Sequence, residues 1–198
     1  MVKRAFDLGC AGLGLLLLWP LLLAIAAAIK LDSRGPALFR QARVGQHGVL
    51  FRIHKFRTMV ADAPLRGLGL TVGADARITR VGRWLRRTRL DELPQLIDVL
   101  AGTMSLVGPR PELPEYVAHY PAALRAQALA VRPGITSLGA LEFLDEAELL
   151  ARAADPEREY IEVILPRKAQ LAADYAAQAS LHGDLMVLGR TLRRLVAG

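Results

Sequence analysis

The densest group of residues able to do chemistry lies between residues 77 and 111. A series of arginines leads into the adjacent carboxylates Asp91 and Glu92, and a Gly-Pro-Arg-Pro segment containing Arg110 follows at residues 108–111. Guanidinium groups bind phosphate oxygens in a bidentate fork, while carboxylates bind Mg²⁺ or attack phosphorus as nucleophiles. The combination predicts phosphoryl chemistry. Each part alone has a simpler reading, because acidic pairs often cap helices and arginine-rich helices often bind lipid.

The residues around this cluster predict two helices that meet at the carboxylates. Apolar residues recur at helical spacing across residues 77–102, but Pro94 interrupts the pattern. We expect one helix to end near Thr88 and Arg89 and the next to begin around Asp91, since proline is tolerated in a first helical turn. The two prolines of segment 108–111 fix its backbone and hold Arg110 with little further loss of entropy.

The remaining chain predicts a mostly α fold with a small β element, an α+β class. Apolar stretches around Gly45 and Gly48 predict a strand pair between residues 36 and 59, and the glycine-rich segment 61–76 predicts a loop. Residues 112–130 and the chain from residue 146 onward are predicted to be helical. The last helix, 184–196, is basic and amphipathic, which suits either a lipid headgroup region or an ordinary packed surface.

Residues 8–29 form an apolar run without a charged residue. A helix of that length covers ~33 Å, enough to span the hydrocarbon core. The run exceeds the apolar region of a typical signal peptide. Basic residues on both sides and Pro20 near the middle favour a helix-break-helix hairpin with both ends in the cytoplasm over a spanning helix with a proline kink.

The composition narrows the class of partner. The net charge of +7 favours anionic partners, but aromatic residues make up only 6% of the chain and no base-stacking platform is visible. These features argue against nucleic acid and favour an anionic membrane surface. Cys10 is the single cysteine, which excludes disulfides and cysteine-based zinc sites within one chain, and the four histidines lack ligand spacing.

Two motifs resemble a known family, LDELPQL at residues 90–96 and MSLVGPRP at residues 104–111. They are similar to those of the bacterial sugar transferases, in particular the small monotopic polyprenyl-phosphate phosphoglycosyl transferases, the initiating glycosyl-1-phosphate transferases. Further matching stretches follow the same order along the chain: QARVG at 41–45, KFRTM at 55–59, RITRVG at 77–82 and RPGIT at 132–136. Because the motifs extend over essentially the whole chain, chance is a poor explanation for the resemblance.

The resemblance implies a transferase that moves a sugar-1-phosphate from a UDP-sugar to polyprenyl phosphate, usually undecaprenyl phosphate, and releases UMP. It implies that Asp91 is the nucleophile of a phosphosugar-aspartyl intermediate and a ligand of the expected cofactor Mg²⁺, with Glu92 as its partner in catalysis and a candidate second ligand. It also implies that Arg110 binds phosphate. The matching motifs supply four further candidates for substrate binding: Arg43, Arg57, Arg77 and Arg132.

The resemblance further implies a re-entrant membrane hairpin at residues 1–34, broken at Trp19 and Pro20, and a membrane-associated catalytic domain at residues 35–198. The expected location is the cytoplasmic face of the bacterial inner membrane, where such enzymes initiate polysaccharide or glycoconjugate synthesis. The expected partners are the UDP-sugar, polyprenyl phosphate and an anionic bilayer, without nucleic acid. An inactive membrane-anchored scaffold and a basic peripheral lipid-binding protein are the alternatives. The sugar, the pathway and the oligomeric state stay open.

Overall fold

A computed structural model describes residues 2–63, 69–143 and 145–197, with the side chains of the last helix described as far as Arg194. The helices of the first half are α1 (Val2–Asp32), α2 (Arg80–Thr88), α3 (Gln95–Ala101), α4 (Pro114–Val117) and α5 (Ala122–Ala128). Those of the second half are α6 (Leu138–Glu142), α7 (Glu146–Arg152), α8 (Pro156–Glu159), α9 (Leu165–Gln178) and α10 (Leu181–Ala197). The strands are β1 (Leu38–Val44), β2 (Leu50–Phe56), β3 (Ser105–Val107) and β4 (Gly134–Thr136). The predicted mostly α class with small sheets is confirmed.

The predicted strand pair is an antiparallel hairpin of β1 and β2, with Leu38 opposite Phe56 and Val44 opposite Leu50. A single 3₁₀ turn, Gln46–Gly48, joins the strands. Side chains alternate between the two faces of a hairpin. Phe39, Gln41 and Arg43 therefore share a face, and the residues opposite them include Lys55, across from Phe39.

A second, parallel pair of strands was not predicted from the sequence. Ser105 of β3 pairs with Gly134 of β4, and Val107 pairs with Thr136. Each strand is three residues long, too short to show a periodic pattern. The pairing places the Gly-Pro-Arg-Pro segment directly beside the RPGIT segment, and Gly134 N–H donates to the carbonyl oxygen of Pro109 at 2.9 Å.

The chain between residues 112 and 130 forms two short helices instead of the single helix expected from the sequence. Helix α4 starts at Pro114, and α5 follows Pro121. A proline lacks the backbone N–H that a continuing helix needs, so Pro121 favours a new start over continuation. The helical prediction from residue 146 onward is confirmed, with a π-helical turn at Tyr160–Ile164 before α9. Of the predicted loop 61–76, residues 64–68 lie outside the described part of the chain.

Helix α1 is long and apolar enough to cross a membrane by its length and composition. The helix continues through Trp19 and Pro20, whereas the sequence predicted a break there. A proline inside a helix removes one hydrogen bond and can bend the helix without ending it. The path of the chain in a membrane, and with it the re-entrant topology, stays a prediction.

Both halves of α1 pack against the rest of the protein. Ala11 in the first half belongs to an apolar cluster with Val99 of α3, and Ile29 in the second half belongs to a cluster with Leu85 of α2. Between these contacts, the large apolar side chains are mostly exposed: Leu16, Leu17, Trp19, Leu21 and Leu23. The helix is thus anchored at both ends and presents an apolar middle.

Candidate active site

The backbone between α2 and α3 presents the two adjacent carboxylates. Arg89 ends α2 in the left-handed conformation (φ 59°, ψ 12°), which is uncommon for a residue other than glycine and turns the chain sharply. A single 3₁₀ turn, Leu90–Glu92, follows, and α3 begins only at Gln95. Asp91 and Glu92 therefore precede the second helix instead of lying in its first turn, and they are 2% and 6% exposed.

Two cations hold the carboxylate pair. The Nζ of Lys55 lies 2.8 Å from Oδ2 of Asp91 and 3.2 Å from Oε1 of Glu92. Nη2 of Arg110 donates to the same Oε1 of Glu92 at 2.9 Å. The buried Oδ1 of Asp91 has no hydrogen-bond partner among the described residues. One oxygen of Asp91 is thus oriented by Lys55, while the other keeps its lone pairs available.

The electrostatics keep Glu92 and Arg110 ionised. Burial alone would raise the pKa of Glu92, but the charges of Arg110 and Lys55 hold that pKa well below its usual range. The charge of Glu92 in turn raises the pKa of Arg110 above its usual value, although burial opposes it. Both groups are therefore charged at neutral pH.

A cleft of about 1110 Å³ opens in front of Asp91. This volume is slightly above the range of about 300–1,000 Å³ that is typical for small-molecule sites, so the cleft has room for a large ligand. Its walls come from the β1–β2 hairpin, α2, the Gly-Pro-Arg-Pro segment, α7 and α9. The basic residues that line it are Arg43, Lys55, Arg57, Arg77, Arg83, Arg86, Arg87, Arg89, Arg110 and Lys168.

The family model for bacterial sugar transferases matches residues 1–198, the whole chain. This chain belongs to the bacterial sugar transferase family. The family assignment made from the sequence motifs is confirmed.

Three relatives of this bacterial sugar transferase illustrate the similarity. An undecaprenyl-phosphate glucose phosphotransferase from Komagataeibacter xylinus is 41% identical over 207 residues, covering 97% of the chain and 35% of the relative. A UDP-glucose:undecaprenyl-phosphate glucose-1-phosphate transferase from Caulobacter vibrioides is 40% identical, covering 98% of the chain and 69% of the relative. A UDP-N-acetylgalactosamine-undecaprenyl-phosphate N-acetylgalactosaminephosphotransferase from Aeromonas hydrophila is 35% identical, covering 100% of the chain and 44% of the relative. The chain spans between about a third and about two thirds of these proteins.

The structure brings most of the predicted site residues of this bacterial sugar transferase to one cleft. Asp91, Arg110, Arg43 and Arg57 line it. Arg43 donates to the carbonyl oxygen of Pro111 at 3.2 Å and so braces the segment that carries Arg110. Burial lowers the pKa of Arg43, and the charge of Glu112 opposes that shift.

Arg77 and Arg132 have other surroundings. Arg77 also lines the cleft, but its Nη2 lies 2.6 Å from Oδ2 of Asp75, and this hydrogen-bonded pair lowers the pKa of Asp75. Much of its charge is therefore balanced within the loop. Arg132 is not among the cleft-lining residues; it donates from Nε to the carbonyl oxygen of Gly102 at 2.8 Å in an exposed position.

Lys55 and Arg86 are among the cleft residues that were missed as site candidates. Lys55 belongs to the KFRTM motif, but its contact with Asp91 depends on how β2 packs against the α2–α3 connection. Arg86 donates to Oγ1 of Thr58 and of Thr71, each at 2.9 Å, and the charge of Asp91 opposes the lowering of its pKa by burial. The KFRTM motif and the arginine-rich pattern of α2 were the available sequence signals.

The carboxylate oxygens of Asp91 and Glu92 fit a magnesium site in which substrate phosphates supply the other ligands. The described residues contain no group of three or more metal-binding side chains, so a closed protein cage for a metal is absent from this part of the chain. Mg²⁺ in phosphoryl-transfer sites uses one or two carboxylates together with phosphate oxygens and water. Asp91 and Glu92 supply such carboxylates, although Oδ2 of Asp91 already contacts Lys55 and Oε1 of Glu92 already accepts from two cations.

Proposed function

We propose that this bacterial sugar transferase moves a sugar-1-phosphate from a UDP-sugar to undecaprenyl phosphate and releases UMP, the first step of polysaccharide or glycoconjugate assembly. The relatives from Komagataeibacter xylinus, Caulobacter vibrioides and Aeromonas hydrophila are named for sugar or sugar-phosphate transfer to undecaprenyl phosphate, which supports this reaction and this acceptor. The single structural observation that carries the proposal is the buried, unpartnered Oδ1 of Asp91 at the cleft wall.

The proposed reaction has two displacements at one phosphorus atom. Oδ1 of Asp91 attacks the β-phosphorus of the UDP-sugar; a bond from Oδ1 to phosphorus forms, and the bond from phosphorus to the bridging oxygen breaks. The bonding electron pair leaves with UMP. An oxygen of the acceptor phosphate then attacks the same phosphorus, and the electron pair of the Asp91–phosphorus bond returns to the carboxylate. Nucleophilic catalysis of this kind divides one difficult step into two easier ones.

The basic residues have distinct roles in this scheme. Lys55 holds Oδ2 of Asp91 at 2.8 Å and so directs Oδ1 toward the substrate. Arg110, ionised through its pair with Glu92, lies where it can neutralise the phosphate oxygens whose charge grows during transfer. Glu92 fixes both cations, since it accepts from Lys55 and from Arg110.

Magnesium is the proposed cofactor, with Asp91 as its protein ligand and Glu92 as a candidate second ligand. When bound, the ion neutralises charge on the phosphates of the donor. The adjacent carboxylates of Asp91 and Glu92 support this proposal, because carboxylate oxygens are the ligands that Mg²⁺ prefers.

We further propose that α1 is re-entrant and that the chain lies on the cytoplasmic face of the inner membrane, bound to an anionic bilayer. Near its start, Asp7 accepts a hydrogen bond of 2.8 Å from Oγ of Ser105. At its end, Asp32 accepts one of 2.9 Å from N–H of Val81. Both ends of the helix thus bind one catalytic domain, and the exposed apolar middle supplies the surface that enters the bilayer.

The proposal is tested by measuring UMP release from UDP-glucose and UDP-N-acetylgalactosamine by the protein in nanodiscs, with and without undecaprenyl phosphate. We expect sustained release from at least one donor, beyond one UMP per enzyme, that requires the lipid, stops on chelation with EDTA and resumes with Mg²⁺. Asp91→Asn, which is nearly isosteric, should abolish it, whereas Glu148→Gln at an exposed position on the cleft rim should not. A folded protein without release from any UDP-sugar would favour a scaffold or a lipid-binding protein.

A further inference from the structure

Charge is unevenly balanced between two walls of the cleft. On the wall formed by α7 and α9, Lys168 forms ion pairs with Glu146 and, at 3.4 Å, with Glu112. On the wall formed by α2 and the end of β2, Arg57, Arg83 and Arg87 line the cleft, and the structure shows no carboxylate paired with them among the described residues. The α2 wall therefore carries uncompensated positive charge.

Arg57 is the most unusual of these cations. It is 5% exposed, and its Nη2 donates to the carbonyl oxygen and the hydroxyl of Ser33 at 2.7 and 2.9 Å. Its Nε and Nη1 have no partner among the described residues. Gly35, at φ 118°, approaches so closely that a Cβ there would collide with Nη1. A buried guanidinium with two unpaired nitrogens is costly, and its charge is not neutralised by any carboxylate among the described residues.

The α2 wall lies where α1 leaves the proposed membrane segment. Ser33, which holds Arg57, directly follows the last residue of α1, and Asp32 of α1 binds the N–H of Val81 in α2. Trp84, on the same short helix, is 45% exposed and suits a membrane interface. A phosphate on a lipid carrier is confined to that interface, whereas a nucleotide sugar reaches the cleft from solution.

We propose that the α2 wall, centred on Arg57 with Arg83 and Arg87, is the acceptor subsite and binds the phosphate monoester of the lipid carrier. The inference rests on the proposed function and assigns the acceptor a place separate from the donor. The dianionic acceptor phosphate brings no proton that must be removed; its oxygen forms a bond to phosphorus as the Asp91–phosphorus bond breaks. The unpaired guanidinium groups offset the repulsion between the two phosphate groups as they approach.

The test separates the two half-reactions. Exchange of labelled UMP into UDP-glucose without lipid reports the donor half, and turnover against undecaprenyl phosphate concentration in nanodiscs reports the acceptor half. Arg83→Gln and Arg87→Gln change exposed side chains, so the fold should persist; Arg57→Gln keeps a donor for Ser33. We expect each to reduce kcat/KM for the acceptor about tenfold or more, and to reduce it at least several-fold more than the exchange rate. Arg80→Gln, exposed on the same helix outside the cleft lining, is the matched control and should change neither.

Three results would overturn the assignment. Variants that slow the exchange as much as acceptor turnover would place these arginines in the donor subsite. A defect that disappears in nanodiscs of zwitterionic lipid, and is present only with phosphatidylglycerol, would assign them to bulk headgroups; we expect the defect in both. Wild-type protein that neither exchanges UMP nor turns over would instead remove the proposed function, and that outcome is recognisable before any variant is made.

Discussion

Nζ of Lys55 lies 2.8 Å from Oδ2 of Asp91, on the side of the carboxylate away from its unpartnered oxygen Oδ1. Lys55 thus holds Oδ2 of this buried carboxylate, whereas Oδ1 has no hydrogen-bond partner among the described residues. A nucleophile held in one orientation loses less entropy on reaching the transition state. In the proposed mechanism, Lys55 is therefore a positioning residue whose effect on the reaction passes through Asp91.

Lys55→Gln should reduce kcat roughly 10- to 100-fold, because it removes a charge-assisted contact to Asp91 that orients the nucleophile. The KM for the UDP-sugar should change less than kcat. The measurement is steady-state UMP release in nanodiscs with donor concentration varied. Lys55→Arg should recover part of the loss, since it restores the charge. A variant in which KM rises and kcat is unchanged would show that Lys55 binds substrate instead.

Arg110→Gln should make stability depend on pH in a way that the wild type does not. The depressed pKa of Glu92 means that its ion pairs stabilise the fold above the unfolded pKa of about 4.3, and that this contribution is lost only as pH falls through the still lower folded value. Without Arg110, burial dominates and raises the pKa of Glu92. The melting temperature of the variant should therefore lie below that of wild type at about pH 8, and the deficit should shrink toward about pH 5.

The control for this experiment is Arg125→Gln, which changes an arginine of α5 that no described carboxylate pairs with. Its melting temperature should follow the wild type at each pH. A deficit for Arg110→Gln that is constant or grows as pH falls would show that the Glu92 pair does not control the effect.

Gly82→Ala should destabilise the protein by about 1–3 kcal/mol, the usual cost of forcing extra volume into a packed site. A Cβ at this position would collide with the carbonyl oxygen of Thr58, a backbone atom that cannot move aside as a side chain would. Gly82 thus lets α2 approach β2 closely enough to bring Arg86 to Thr58. Gly12→Ala in α1, where no atom lies within 4 Å of the added carbon, is the control. Chemical denaturation measures both, and equal stabilities would contradict this account of the packing.

Both ends of α1 should be accessible from the cytoplasm. In a Cys10→Ser background, the cysteines introduced by Val2→Cys and Arg34→Cys should not react with a membrane-impermeant maleimide in intact cells. They should react with it in inverted membrane vesicles. The reason is that both ends bind the same catalytic domain. Arg152→Cys, exposed in α7, reports labelling of that domain. Reaction of Val2→Cys in intact cells would contradict the re-entrant arrangement and favour a spanning helix.

The sequence predicted the parts of the site that depend on local chemistry. The end of α2 near Thr88 and the strand pair on either side of Gly48 follow from turn residues and short-range periodicity, and the structure confirms both. The Asp-Glu pair and Arg110 lie in continuous motifs, and the cleft brings Asp91 and Arg110 to one surface.

The contacts that the sequence could not predict join residues distant in the chain. The link between Lys55 and Asp91 requires β2 to pack against the turn before α3, and the three-residue strands β3 and β4 pair in parallel without a periodic signal. The left-handed conformation of Arg89 carries the carboxylates into a 3₁₀ turn ahead of α3, although arginine has no preference for that conformation. Long-range packing determines each of these features.

The central claim, that Asp91 carries the phosphosugar covalently, is tested most directly by mass spectrometry of the protein mixed with UDP-glucose, or with whichever UDP-sugar supports turnover, and Mg²⁺ in the absence of lipid. We expect a mass increase equal to one phosphosugar group (the sugar phosphate less one water), located by peptide mapping to Asp91, absent in Asp91→Asn and removed by adding undecaprenyl phosphate. An adduct on another residue, or lipid-dependent turnover by Asp91→Asn, would contradict it.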